Sequence, residues 1–161
     1  MVDAYIGLGS NLDNPAEQVK LARLSVARQE RITELKFSGL YASPPMGPQD
    51  QPDYVNAVMS IQTALTAVEL LSVLQKIEAD FGRVRKGERW GARTLDLDIL
   101  LYGDQQIELP DLKIPHIGLT ERAFVLYPLQ EIASKNLLIP GKGDIGYLVS
   151  RCPLNGLEKI A

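Results

Sequence analysis

The sequence predicts an α+β fold in the order β-α-β-β-α-β, followed by further helical segments. Three observations carry this. Two segments place apolar residues at helical spacing: Val19, Ala22 and Val26 in the first, Leu70, Leu74, Ile77 and Phe81 in the second. Short apolar runs bounded by turn residues lie before, between and after them and read as strands. Neither helix links strands that must be neighbours, and the second and third strands alternate polar with apolar residues. An antiparallel sheet follows, in the split-βαβ or ferredoxin-like pattern.

Each element has a local cause. Ala4 to Leu8 is a short buried strand ending in Gly-Ser-Asn. Asn14 is placed to cap the first helix, Pro15 suits its first turn and Glu17 its N3 position, and the pattern runs to about Gln29. Ile32 to Tyr41 reads as one strand and Tyr54 to Thr63 as another. Between them "ASPPMGPQDQPD" holds four prolines in twelve residues, a shaped loop. Thr66 with Glu69 forms a capping box for the second helix, and Gly82 is expected to stop it. "GRVRKGERWGAR" is a loop, Leu95 to Tyr102 a strand, and "YGDQQIELPDLKIPH" a turn with a small hairpin. "TERAFVLYPLQEIA" is helical and is expected to break at Pro128.

The totals exclude several classes. One domain over residues 1–161 is expected, long enough for a real core. The net charge is -3, so the chain as a whole repels nucleic acid and anionic membranes, and any anion must be held by a local cluster. Cys152 is the single cysteine and has no neighbours at metal-ligand spacing. Neither a signal peptide nor an apolar run of membrane-spanning length is expected. The default is a soluble, cytoplasmic protein.

"RTLDLDILLYG" poses a chemical problem. Residues i and i+2 of a strand share a face, so Asp96 and Asp98 project side by side while Leu95, Leu97 and Ile99 enter the core. Two carboxylates so close repel each other, and a divalent cation reverses the sign. Mg²⁺ fits, because it takes one or two carboxylates and completes its shell with water and phosphate. Two solvated carboxylates at a strand edge are the plain alternative.

The preceding loop sharpens the choice. Arg83, Arg85, Lys86, Arg89 and Arg93 stand against Glu88 alone, among Gly82, Gly87 and Gly91. A cationic, glycine-containing loop beside a carboxylate pair reads as a lid over a polyphosphate, because arginine grips phosphate bidentately. A solvated loop or a weak nucleic-acid patch is the alternative. His116, the only histidine, follows Pro115 at the end of the hairpin, where it is either a structural residue, as lone histidines most often are, or a partly exposed phosphate contact. Trp90 is placed to pack on a base. Leu71, Gln75 and Glu78 form one helix row that faces either a nucleotide or solvent. Tyr54 and Asn56 share a strand face. The Asn amide suits the edge of a planar heterocycle, and Tyr54 or Phe124 can pack on the ring. A strand-end Asn that satisfies the loop backbone is an equal alternative.

"YIGLGSNL", "SPPMGPQDQPDYVNAV", "GRVRKGERWGARTLDLDILLYG" and "PHIGLTERAFVLYPL" occur in that order. Together they resemble the 6-hydroxymethyl-7,8-dihydropterin pyrophosphokinases, enzymes of folate biosynthesis, over nearly the whole chain. The resemblance implies a monomeric three-layer αβα sandwich with an antiparallel sheet and helices on both faces. It implies transfer of pyrophosphate from ATP to the pterin hydroxymethyl group, releasing AMP and using two Mg²⁺ ions. By position, Asp96 and Asp98 look like the metal ligands, and Arg83 and Arg93 like catalytic loop arginines. Arg85, Arg89, Trp90, Arg93, Ile99, Lys113, His116 and Arg122 look like ATP contacts, with Leu71, Gln75 and Glu78 beneath. Gly9, Ser43, Pro44, Met46, Tyr54, Asn56, Trp90 and Phe124 look like the pterin pocket. Ala92, Asp111 and Ile117 depart from common members.

Two other classes compete. A Mg²⁺-dependent nucleotidyltransferase also pairs carboxylates on a strand but releases pyrophosphate. An RNA-binding ferredoxin-like module needs a basic surface and aromatic residues across the sheet, which this acidic chain lacks.

Overall fold

A computed structural model of the chain describes residues 1–44, 53–83 and 94–161, with the side chain of Arg83 excepted. Its main elements follow the expected order: β1 (Val2–Ser10), α1 (Pro15–Ala27), β2 (Ile32–Phe37), β3 (Tyr41–Ser43), β4 (Tyr54–Thr63), α2 (Ala67–Arg83) and β5 (Leu95–Tyr102). The hairpin β6 (Ile107–Leu109) and β7 (Leu112–Ile114) precedes a 3-10 turn at Leu119–Glu121 and α3 (Ala123–Ile132). The tail forms β8 (Leu138–Ile139), β9 (Gly143–Asp144), α4 (Ile145–Ser150) and β10 (Glu158–Lys159).

The main sheet runs β10-β3-β4-β1-β5, with β2 also on β4, and every pairing is antiparallel. β2 and β3 were expected as one strand. They share the partner β4 but are broken at Ser38–Leu40. Phe37 lies opposite Met59 and Tyr41 opposite Asn56, so the outer chain advances one residue further than its partner. Ser38 absorbs the step: its Oγ accepts from Val58 N–H at 2.9 Å, and Gly39 N–H leaves the ladder for the Glu131 carboxylate.

Sheet parity separates two cores. Ala4, Ile6 and Leu8 of β1, Val55, Ala57, Met59 and Ile61 of β4, and Leu95, Leu97 and Ile99 of β5 pack under α1 and α2. Val58, Leu100 and Leu101 face α3 and α4 on the other side, with Leu126, Leu129, Ile145 and Leu148. Leu100 and Leu101 both face that way because β5 carries a bulge. Tyr5 pairs with Leu101 and Ile6 with Ile99, so Leu100 has no partner on β1.

Three local expectations are corrected. Asn14 occupies the cap position of α1 but sits at φ 54 and makes no side-chain cap bond. Good capping geometry uses the extended region, which presents the side-chain oxygen to the first amides, and the left-handed conformation does not. α2 continues through Gly82 to Arg83. A glycine costs roughly 1 kcal/mol in a helix, too little to end one of 17 residues already anchored on the sheet. α3 does not break at Pro128. Leu126, Leu129 and Ile132 are buried on both sides of the proline, and that packing outweighs the one amide bond lost. The capping box stands as expected: Thr66 N–H donates to Glu69 Oε1 at 2.9 Å, and Glu69 N–H donates to Thr66 Oγ1 at 3.1 Å.

Candidate active site in an acidic cleft

The cleft lies on the α3 side of the sheet. Its floor is set by cross-strand register. Gly9 is opposite Asn56 on one side and Asp96 on the other, and Gly7 is opposite Val58 and Asp98. The outer strands therefore carry side chains where the middle strand carries none. A Cβ on Gly9 would stand 3.0 Å from Asn56 Oδ1, tighter than ordinary contact. Glycine keeps open the gap between amide and carboxylate.

Asn56 forms one wall. It is buried, and its Nδ2 donates to Ser43 Oγ at 2.8 Å. Tyr54, Pro44, Phe124 and Val125 line the same space. The opposite wall is charged. Asp96 and Asp98 point into the cleft, as strand periodicity requires, beside His116 and Arg122. His116 Nδ1 accepts from Gly118 N–H at 3.1 Å, so in the neutral ring Nε2 carries the proton. Nε2 lies 3.8 Å from Asp98 Oδ2.

Asp96 is exposed as a residue, yet its carboxylate is crowded by the protein around it. Partial burial pushes its carboxyl above the ordinary aspartate range, against the lowering bond from Thr94; the charge of Asp98 adds to the rise and Arg122 opposes it. Glu78 is raised as well, first by burial and then by the charges of Asp96 and Asp98, although the Leu97 N–H bond to its Oε2 at 2.7 Å opposes this. Excess negative charge, hard oxygen donors and a shared face fit a cation such as Mg²⁺. Among the described residues no group of three or more His, Cys, Asp or Glu gathers at a metal-binding distance. Mg²⁺ needs no such group, because water and phosphate complete its shell.

The structure thus brings Gly9, Ser43, Pro44, Tyr54, Asn56, Asp96, Asp98, His116, Arg122 and Phe124 to one cleft. Five other sequence candidates lie apart from it. Leu71 packs against the α1–α2 core, where Ile99 is buried, and Gln75 is exposed on α2. Glu78 holds the amide of Leu97. Lys113 is exposed on β7, 3.3 Å from Glu108. Arg83 ends α2, and Met46, Arg85, Arg89, Trp90 and Arg93 lie outside the described residues. Of the departures, Asp111 is exposed and Ile117 is 77% exposed.

Sequence reasoning missed Gly7, Leu100 and Thr94. The signal for Gly7 was its spacing of two from Gly9. Thr94 stands two residues before Asp96, on the same strand face. Leu100 gave no signal, because its orientation depends on the bulge.

Fold and site together define a class: an antiparallel α/β protein with a glycine-floored cleft between a buried amide and a carboxylate pair. Comparison with known proteins narrows it. Residues 5–134 match the family model described as 7,8-dihydro-6-hydroxymethylpterin-pyrophosphokinase (HPPK). The 2-amino-4-hydroxy-6-hydroxymethyldihydropteridine pyrophosphokinase of Pseudomonas aeruginosa is 46% identical over 97% of this chain and 95% of its own length. That of Haemophilus influenzae is 50% identical over 94% of this chain and 93% of its own. The chain belongs to the 7,8-dihydro-6-hydroxymethylpterin-pyrophosphokinase family. The fold also resembles a crystal structure of Plasmodium falciparum HPPK-DHPS with pteroate, at a TM-score of 0.70 and 13% identity. That match covers 93% of this chain and 42% of the Plasmodium chain.

Proposed function

We propose that this protein transfers the β,γ-pyrophosphoryl group of ATP to 6-hydroxymethyl-7,8-dihydropterin, giving AMP and the pterin diphosphate in folate biosynthesis. Family membership supports the pyrophosphokinase activity. The observation that carries the detail is the juxtaposition across Gly9 of a buried amide wall and a carboxylate pair. One wall suits a planar heterocycle and the other a phosphate-bound cation.

In this reading Asn56 meets the amide edge of the pterin, Tyr54 and Phe124 flank its ring, and Ser43 fixes the Asn56 amide. Asp96 and Asp98 hold two Mg²⁺ ions, which when bound supply charge neutralisation at the phosphates. Arg122 and His116 lie beside the carboxylates, where they meet phosphate oxygens. Arg83 and Arg93 are the loop arginines expected to assist transfer, with Arg85, Arg89 and Trp90 on the nucleotide side and Met46 on the pterin side; Leu71, Gln75, Glu78, Ile99 and Lys113 lie apart from the cleft, so in this reading they meet the nucleotide only where it extends beyond it. The hydroxymethyl oxygen bonds to the β-phosphorus, the bond from the bridging oxygen to that phosphorus breaks, and the oxygen leaves with AMP. The alcohol proton passes to solvent. The protein's part is to position the reactants and exclude water.

If β2 and β3 are counted as one bent strand, the order β3-β4-β1-β5 supports a ferredoxin-like core. α1–α2 and α3–α4 on opposite faces support the three-layer αβα description. We read the protein as one domain over 1–161, a cytoplasmic monomer acting on small molecules. No described helix is long and apolar enough to cross a membrane.

Product analysis is the test. Incubation with ATP, Mg²⁺ and the reduced pterin alcohol should yield AMP and pterin diphosphate in equal amounts. ADP as the main product would mean simple phosphoryl transfer, and pyrophosphate would mean nucleotidyl transfer; either overturns the assignment.

A further inference from the structure

Thr94 stands two residues before Asp96, so its side chain shares the face of Asp96 and Asp98. Its main chain is held without its side chain. Thr94 N–H donates to Asn11 Oδ1 at 2.9 Å, and Asn11 N–H donates to the Thr94 carbonyl at 3.2 Å. Both contacts of the hydroxyl run instead to cleft residues. Thr94 Oγ1 donates to Asp96 Oδ2 at 3.0 Å and lies 3.2 Å from the Tyr54 hydroxyl. A hydroxyl has one proton, and here the carboxylate takes it. Tyr54 is therefore the donor in the second bond. The result is a directed chain, Tyr54 O–H to Thr94 O–H to Asp96, in which each bond polarises the next.

We propose that Thr94 is a positioning residue that couples the ring pocket to the carboxylate pair. It commits Asp96 Oδ2 to the protein, leaves Oδ1 as the oxygen offered to a cation, and ties the Tyr54 ring to that orientation. Without the hydroxyl the Asp96 carboxylate rotates freely, and Tyr54 O–H loses its partner. Hydrogen bonds that orient a ligating carboxylate change metal affinity by about 10–100-fold when lost. The identity of the ligands rests on the proposed function.

The test uses Thr94→Val, which keeps the shape and removes the hydroxyl, and Thr94→Ser, which keeps the hydroxyl. Each is titrated calorimetrically with the α,β-methylene analogue of ATP, uncleavable at the bond that would release AMP, with and without Mg²⁺. Thr94→Val should weaken the Mg²⁺-dependent part of binding by ~10-fold. Thr94→Ser should retain most of it, and without Mg²⁺ the variants should bind like the parent. Binding of 6-hydroxymethylpterin then gives a double-mutant cycle. Tyr54→Phe should cost clearly less in the Thr94→Val background than alone, because the relay is already cut. The proposal is overturned by any of three results: parental Mg²⁺-dependent binding in Thr94→Val, equal losses in Val and Ser, or a Tyr54→Phe cost that is the same in both backgrounds. Failure of Thr94→Val to fold also overturns it, since the hydroxyl would then be serving the fold. Failure of the functional reading looks different: the unmodified protein would not bind the analogue with Mg²⁺ at all.

Discussion

At the scale of single residues, Asn56 and Asp96 show what the cleft costs the protein and what it gains. Asn56 is a buried polar group whose Nδ2 is satisfied by Ser43. If its amide also reads the pterin, Asn56→Ala should weaken pterin binding by ~1–3 kcal/mol, the cost of leaving ligand groups unpaired. Binding of the Mg²⁺–ATP analogue should barely change. Equilibrium titration of both ligands decides it, and equal losses would make the residue structural. Asp96 carries the opposite burden. Its carboxyl is raised in the fold, so its ionised form is less favourable there than in the unfolded chain. That penalty sets in as pH rises through the ordinary value of 3.8 and is complete above the raised one. Asp96→Asn should therefore melt at a higher temperature than the parent at neutral pH without metal, and the gap should close in acid. The same substitution should abolish the Mg²⁺-dependent rise in melting temperature that the ATP analogue gives the parent. A lower melting temperature at neutral pH would show that the negative charge stabilises the free protein.

At the scale of elements, the break between β2 and β3 is the feature most open to test. Glu131 of α3 accepts from Gly39 N–H at 3.1 Å, from Tyr41 O–H at 2.6 Å and from Lys159 Nζ at 3.4 Å. One carboxylate thus joins the helix, the strand break and β10. Burial pushes the Glu131 carboxyl up, but the bonds from Tyr41, Gly39 and Lys159 outweigh it and hold the group below the usual glutamate range. A lowered carboxyl stabilises the fold above its unfolded value, and the contribution is lost as pH falls through the folded one. Glu131→Ala should cost ~1–3 kcal/mol in denaturant unfolding at neutral pH, because the Tyr41 hydroxyl is left without its acceptor. The penalty should shrink in acid, and one that is independent of pH would trace the loss to packing. The capping box and the helical spacing of α2 were legible because both depend on residues three or four apart. The strand break was not, because Glu131 lies 92 residues from Gly39.

At the scale of the whole molecule, two cores share a single sheet. β1, β4 and β5 send alternate residues to α1–α2 and to α3–α4, so the strands that build one core also build the other, and loss of the sheet dissolves both. The chain should therefore unfold in one cooperative transition. Far-UV and near-UV circular dichroism should give coincident curves in denaturant. A resolved intermediate would show that the α3–α4 layer detaches by itself. The sequence by itself determined the element order, both helix stripes and the shared face of Asp96 and Asp98, because periods of 3.6 and 2 are local properties of the backbone. It also carried the resemblance, through motifs written in contiguous residues. Only the tertiary structure decided that Gly9 separates Asn56 from Asp96, that Leu100 turns towards α3, and that Ile99 and Glu78 belong to the opposite side of the sheet from the cleft. Those placements depend on strand register, and one bulge or one shifted pairing changes which residues face each other.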